Sequence, residues 1–308
     1  MKKKNLSIED QLKRLKRKFR ILLAVFLVFV SSTAVYIYMN YDYLAFKHFM
    51  TGFYIYTGAL DNVFKKELKT DVKGRYYSYF DDLVIATVTK RIREENNDRY
   101  TYLYTPDSLQ SYLQEEKQEA QQTELKPLNN DTLYLRLTNF STYTRDFMQD
   151  NYDKLKSRPN LIIDLRDDLG GSIDVMVQLS GMFLPKKSVV ATDRMKPFDI
   201  VYRAKGPYSL KYDKIIILQN SNTASASENF IAALKDNLAN VTLIGGKTFG
   251  KGIGQYTLPL KRGFAVKATI LQWFSPKGVN IQGNGIEPDI EYAKEDMLDF
   301  ALKTISAG

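Results

Sequence analysis

Ser225 and Lys251 are the residues of this chain best suited to nucleophilic chemistry, and they lie 26 positions apart. Ser225 falls between the apolar run Lys214–Gln219 (KIIILQ) and a segment with helical periodicity from 224 to about 238. At such a strand-to-helix corner a hydroxyl stands clear of the backbone. The helix N-terminus stabilises nearby negative charge by roughly 0.3–1 kcal/mol. Lys251 is enclosed in Phe249-Gly250-Lys251-Gly252. The chain has no cysteine and one histidine, so lysine is the natural candidate for a base. A serine is a poor nucleophile until a neighbouring base takes its proton. Lysine does so only when neutral, so a pKa near 10.4 must fall towards 7–8, roughly 4 kcal/mol. Burial without an acidic partner supplies that amount. Phe249 offers an apolar wall, Gly250 and Gly252 allow close backbone approach, and Gln255 offers the neutral amine a hydrogen bond. From spacing alone, a surface lysine in a glycine turn is the commoner meaning of such a segment.

An acyl-transfer site also needs donors for the developing oxyanion. Ala226 presents its N–H at the helix start, and a second donor is offered by Gly170 or Gly171. That glycine pair follows an apolar run in Asp164-Leu165-Arg166-Asp167-Asp168-Leu169-Gly170-Gly171, although a plain turn has the same form. Asp236 cannot complete a triad. Eleven residues along a continuous helix return it to the face of Ser225, but about 16 Å away, which leaves it a structural role. Glu228, three residues after Ser225, is close enough to shape the site or cap the helix. Asp164, Asp167 and Asp168 lack a histidine partner and have Arg166 between them, which argues against a metal. Gly246-Lys247-Thr248 resembles the end of a phosphate loop, but Val241 stands where its first glycine is required.

The elements that must position these residues alternate. Strands are predicted over 132–138, 161–165, 189–192, 198–203 and 214–219, with helices over 143–156, 172–184 and 224–238. The chain then reads mostly as strand, over 241–244, 255–260 and 264–272. This is an α/β pattern, a sheet covered by helices. Upstream, residues 44–122 read as helical, over 44–69, 76–95 and a third helix opened by Thr105-Pro106-Asp107. A packing cap is expected there rather than chemistry.

The net charge of +9 is concentrated at one end. Residues 1–20 hold nine Lys/Arg and two acidic residues, whereas the other 288 hold 35 basic and 33 acidic side chains. A nearly neutral body argues against a nucleic-acid partner. Residues 21–39 carry no charge and match one bilayer crossing. Basic residues before this segment predict a cytoplasmic N-terminus and an extracytoplasmic body at the cell membrane, anchored by a single pass. A cleaved signal peptide, with 21–30 as its apolar core, is the competing reading.

Together, TASASE (223–228), TFGKGIGQ (248–255), DLRxxxGG (164–171) and SPKGVNIQGNGIEPDI (275–290), with DRYTYLYTPDSLQSYL (98–113), resemble the carboxyl-terminal processing, or tail-specific, proteases. The resemblance covers roughly residues 75–290 in the same order. It implies a serine endopeptidase with a Ser–Lys dyad on a crotonase-like α/β core, acting on protein or peptide substrates without a cofactor. Its nucleophile falls on Ser225, its base on Lys251 and its supporting glutamine on Gln255. Its oxyanion donors fall on the glycine pair Gly170 and Gly171 and on Ala226; Glu228, Asp236 and Thr248 match supporting positions. The implied organisation is a basic segment (1–20), a transmembrane helix (21–39), a helical cap (44–124) and a protease core (131–308). Two departures stand out: no room for a PDZ domain between cap and core, and DDLGG where NPGG is commoner. A non-catalytic binding or scaffold module on the same fold is the alternative. A homo-oligomer or regulatory partner stays open.

Overall fold

Apolar runs that need cover on both faces build the centre of the protein. The structure is a computed structural model that describes residues 7–58, 60, 63, 81–207 and 209–307. The helices expected over 44–69 and 76–95 fall partly outside these residues.

In chain order the described elements are α1 (Ile8–Met39), α2 (Tyr41–Phe53), α3 (Asp81–Asn96), β1 (Tyr102–Tyr104), α4 (Pro106–Ala120), β2 (Glu124–Pro127), β3 (Thr132–Arg136), α5 (Thr142–Asp150), α6 (Tyr152–Leu155), β4 (Asn160–Asp164) and α7 (Ile173–Phe183). There follow β5 (Val189–Met195), β6 (Asp199–Arg203), β7 (Lys214–Gln219), α8 (Ala226–Asn237), β8 (Val241–Gly245), β9 (Ile253–Pro259), β10 (Ala265–Phe274), β11 (Ile290–Glu291) and α9 (Met297–Ala307).

Six strands form one sheet in the order β11-β8-β7-β4-β3-β2, parallel except for the antiparallel edge strand β2. Side chains alternate between its faces. Leu161, Ile163, Ile215 and Ile217 point to one, where α5, α7 and α8 bury them. Ile162, Ile216 and Leu218 point to the other, covered by Met297, Ala301 and Ile305 of α9. The mostly β ending holds through β8, β9, β10 and β11, and α9 is the element not expected there: the second face needs a cover, and apolar residues four apart supply one.

The second sheet runs β1-β10-β5-β6, with β9 also paired to the long strand β10. Val266, Ala268 and Trp273 pack with Phe46 and Met50 of α2 and Val84, Ile85, Val88 and Ile92 of α3. The all-helical reading of 44–122 is corrected by β1, whose Tyr102 and Tyr104 pair with Lys267 and Ala265. The helix expected over 143–156 is interrupted at Asn151. Between α4 and β2 lie only residues 121–123, and no separate domain stands there.

Helix α1 runs unbroken for 32 residues through both the basic and the apolar segments, because Lys and Arg are good helix formers. Ser7 caps it, accepting the Asp10 N–H at 3.1 Å. An 18-residue window of it has a mean hydropathy of 2.3, and none of that window is buried. Its length of about 48 Å exceeds a hydrocarbon core of about 30 Å.

Candidate active site

Parallel pairing of β4 with β7 sets the loops after them side by side, at the strand ends where open α/β sheets carry their sites. The loops are laced together. Thr223 Oγ1 donates to Leu165 O at 2.8 Å, Ala224 N–H to Asp168 O at 2.9 Å, and Ser227 Oγ to that same oxygen at 3.1 Å. Asp167 Oδ1 accepts the side-chain amides of Asn220 and Asn222, both at 2.9 Å. Asp164 pairs with Arg166 at 2.6 Å and accepts the Tyr134 hydroxyl at 2.9 Å.

Ser225 closes the second loop as the N-cap residue of α8, with φ +60° and ψ −117°. Non-glycine residues rarely adopt such a conformation, which costs roughly 1–3 kcal/mol. Glu228 holds it there. Its fully buried carboxylate accepts the N–H of Ser225 (2.8 Å), Thr248 Oγ1 (2.5 Å), and the N–H groups of Gly250 (2.7 Å) and Lys251 (2.9 Å). One side chain thus caps the helix and binds the Ser225 corner to the Lys251 loop.

The Lys251 loop is also braced from behind by the run 275–290. Gly252 N–H donates to Gln282 Oε1 at 2.8 Å, Gly283 N–H to Gly250 O at 2.9 Å, and Ile286 N–H to Thr248 Oγ1 at 2.7 Å. Asp236 does not border the cavity. It accepts Ser275 Oγ at 2.7 Å and the Lys277 N–H at 3.1 Å, fastening that brace to the end of α8.

Ser225 and Lys251 border one cavity of about 930 Å³. Lys251 Nζ lies 4.6 Å from the centre of the Tyr100 ring. Its pKa is pushed down to about 8, first by burial, then by the positive charges of Lys267 and Arg99; Glu228 and Asp98 oppose the shift. The apolar wall is Tyr100 and not Phe249, which is 45% exposed and carries the Arg99 guanidinium 5.2 Å from its ring centre. Gly250, at φ +87°, turns the chain between Phe249 and Lys251, so the two side chains part. Gln255 also borders the cavity, but its amide donates to Thr269 Oγ1 at 3.4 Å, and no hydrogen bond joins it to Lys251 among the described residues. Thr269 Oγ1 in turn donates to the buried Asp98 at 3.1 Å, which also accepts the hydroxyls of Tyr54 and Thr101.

The two glycines differ. Gly170 N–H is committed to Asp168 Oδ1 at 2.8 Å, and a Cβ at Gly170 would stand 2.7 Å from Ala226 N and 2.9 Å from Ser225 Cβ. The bridge between Phe140 and Gly171 uses Gly170 O and Ser172 N–H, leaving the N–H of Gly171 outside it. Ala226 opens α8, where backbone donors have no partner in the helix. Gly171 and Ala226 both border the cavity and can offer N–H donors to an oxyanion.

The cap takes part in the site, contrary to the packing role expected of it. Tyr112, Glu115, Glu116 and Glu119 of α4 line the cavity, and Asp98, Arg99 and Tyr100 surround the amine. None of these was singled out from spacing, because they approach Lys251 across about 150 residues of chain. The charged and aromatic Asp98, Arg99 and Tyr100 between α3 and β1, and the acidic run on α4, were the available signals.

The family model of peptidase family S41 matches residues 131–292, more than half of the chain. The chain belongs to peptidase family S41. The matched S41 region runs from β3 through both loops and the Lys251 brace to just past β11. A "Probable CtpA-like serine protease" of Staphylococcus haemolyticus is 34% identical over 181 residues, 55% of this chain and 36% of that protein. This chain thus spans about a third of the length of that relative. Among solved structures, a lipoprotein from Streptococcus agalactiae aligns with a TM-score of 0.67 at 19% identity, covering 87% of this chain and 96% of that one. A photosystem II D1 C-terminal processing protease aligns at 0.62 and 17%, covering 82% and 92%. At these identities the two structures speak for the fold alone.

Proposed function

We propose that this S41 chain is a serine endopeptidase working through Ser225 and Lys251, anchored in the cell membrane by α1 with its body outside, and processing exported proteins or peptides. One observation carries the reading: a desolvated lysine amine with its pKa lowered to about 8 borders the same cavity as a strained serine, and Glu228 holds both backbones.

In this reading the neutral Lys251 amine takes the Ser225 hydroxyl proton as Oγ attacks the substrate carbonyl carbon. The N–H groups of Gly171 and Ala226 receive the oxyanion, each such donor being worth roughly 3–4 kcal/mol of transition-state stabilisation. The Lys251 ammonium then gives its proton to the departing amine nitrogen as the C–N bond breaks. Lys251 next accepts a proton from water as the water attacks the Ser225 ester carbonyl. It then returns that proton to Oγ as the C–Oγ bond breaks, releasing the acid and restoring the free hydroxyl and neutral amine. Glu228, Thr248 and the 275–290 run act as positioning groups, and Asp236 acts through that run. Gln255 supports the site through Thr269.

The test is labelling of the detergent-solubilised full chain by a fluorophosphonate, with casein hydrolysis alongside. Labelling at Ser225, abolished together with hydrolysis in folded Ser225→Ala and strongly reduced in Lys251→Ala, is expected. Absence of labelling would favour a non-catalytic peptide-binding module, and undiminished hydrolysis by either variant would remove the dyad.

A further inference from the structure

Cross-strand register gives the cavity a wall that the proposed catalytic steps do not use. Asp193 on β5 lies opposite Trp273 on β10 and Ile200 on β6, and Met195 lies opposite Leu271. Directly opposed residues share a face of a sheet, and all five line the cavity. Four are apolar. Asp193 is fully buried, and neither of its carboxylate oxygens has a partner within full hydrogen-bond geometry; the Tyr202 hydroxyl on the neighbouring strand faces it as a donor just outside that geometry.

A carboxylate in such a place is costly, because burial removes its water and the fold returns only the neighbouring Tyr202 hydroxyl in exchange. Burial holds its pKa up at about 7 against the lowering influence of the Tyr202 hydroxyl, and the charge it feels besides is a like one, from Asp174 in the first turn of α7. Asp174 also lines the cavity, as do Glu115, Glu116 and Glu119; the basic groups there are Lys251 and Lys267. Neither lysine is among the groups that shift Asp193. A ligand group that satisfied Asp193 would carry a positive charge on a slender apolar stem, passing between Trp273, Met195 and Ile200.

We propose that the Asp193 pocket, with Asp174 beside it, recognises a lysine or arginine side chain of the peptide in the cavity. The site therefore selects basic residues at a fixed distance from the bond presented to Ser225. This inference rests on the cavity being a peptide site, as the peptidase reading requires.

The test uses the full chain in detergent micelles, carrying Ser225→Ala to prevent turnover. Fluorescent neutral decapeptides are compared in pairs, with a single lysine or its uncharged counterpart norleucine placed at each position in turn. At one or two adjacent positions lysine should bind at least tenfold more tightly than norleucine, about 1.4 kcal/mol. Asp193→Asn in the same background should bring that ratio close to one. Should Asp193→Asn not fold, Asp174→Asn, at an exposed position, should lower the ratio at the same positions by threefold or more. Equal binding of lysine and norleucine throughout, a ratio unmoved by these substitutions, or no binding of any peptide would overturn the inference. Turnover of the preferred peptide by the unmodified chain separates the two readings. Binding preference without cleavage sinks the peptidase, while cleavage without preference sinks only the pocket.

Discussion

Replacing Lys267 by methionine removes, after burial itself, the strongest influence holding the Lys251 pKa down at about 8. At pKa 8 about one amine in eleven is neutral at pH 7, against roughly one in 3,000 at pKa 10.5. The whole shift is therefore worth about 300-fold in available base. Burial, the largest cause, survives the substitution, so only part of that factor is lost. A like charge in a partly solvated site contributes on the order of half to one unit, which makes the expected loss roughly 3- to 10-fold at pH 7. The sign is unambiguous: Lys267 disfavours the protonated amine, and its removal raises the pKa. The assay is the second-order rate of fluorophosphonate inactivation between pH 6 and 10, which needs no knowledge of the natural substrate. The unmodified chain should rise tenfold per unit below pH 8 and level off above it. In Lys267→Met the midpoint should move upward, and the ratio of rates at pH 7 and pH 9.5 should fall. An unmoved or lowered midpoint would refute the role of Lys267, and a flat profile through pH 8 would refute Lys251 as the base.

The same shift carries a stability cost. Between pH 8 and 10.5 the unfolded chain binds the Lys251 proton and the folded one does not, so stability rises with pH across that window and is lower by roughly 3 kcal/mol below it. Lys251→Met should raise the melting temperature at pH 7, with a gain that fades towards pH 10.5; a pH-independent gain would contradict this. Glu228→Gln leaves four donors facing one acceptor oxygen and an amide that repels them, at a cost of roughly 2–4 kcal/mol. Fluorophosphonate labelling should fall by about 100-fold as the Ser225 corner and the Lys251 loop lose their common anchor, and a labelling rate within threefold of the unmodified chain would exclude that role. Gly170→Ala puts a Cβ 2.7 Å from both Ala224 O and Ala226 N and should destabilise by at least about 2 kcal/mol. Gly206→Ala, whose Cβ would meet open space at φ +118°, should cost only about 1 kcal/mol; equal melting points for the two would speak against close packing at Gly170.

Much of the core was legible because its signals are local. Lys214–Gln219 was read with the bounds it has, since an uninterrupted apolar run between a charged and a polar residue has one way to be buried. The helix opened by Thr105 and Pro106 was equally plain, because the capping residue and the fixed proline φ act within one turn. The final helix was missed for want of periodicity in the residues just before it, although Met297, Ala301 and Ile305 carry a helical repeat. Strand β1 was missed because three residues are too few for a pattern; its pairing with β10 makes it a strand. Phe249 was taken for the wall beside Lys251 on adjacency alone, and a positive-φ glycine between them turned it outward.

The sequence by itself determined which residues carry reactive groups, the order of strands and helices about Ser225, and the apolar segment of α1, because each depends on residue type and on neighbours a few positions away. The tertiary structure decided how those groups are used. The lowered pKa of Lys251 comes from burial together with Lys267 and Arg99, residues brought to it by strand pairing and by the cap. The committed N–H of Gly170, the four-donor grip of Glu228 and the buried carboxylate of Asp193 likewise exist only once distant segments meet. Spacing along a chain says how far apart two groups are in sequence, whereas charge, desolvation and hydrogen bonding act over a few ångströms of space.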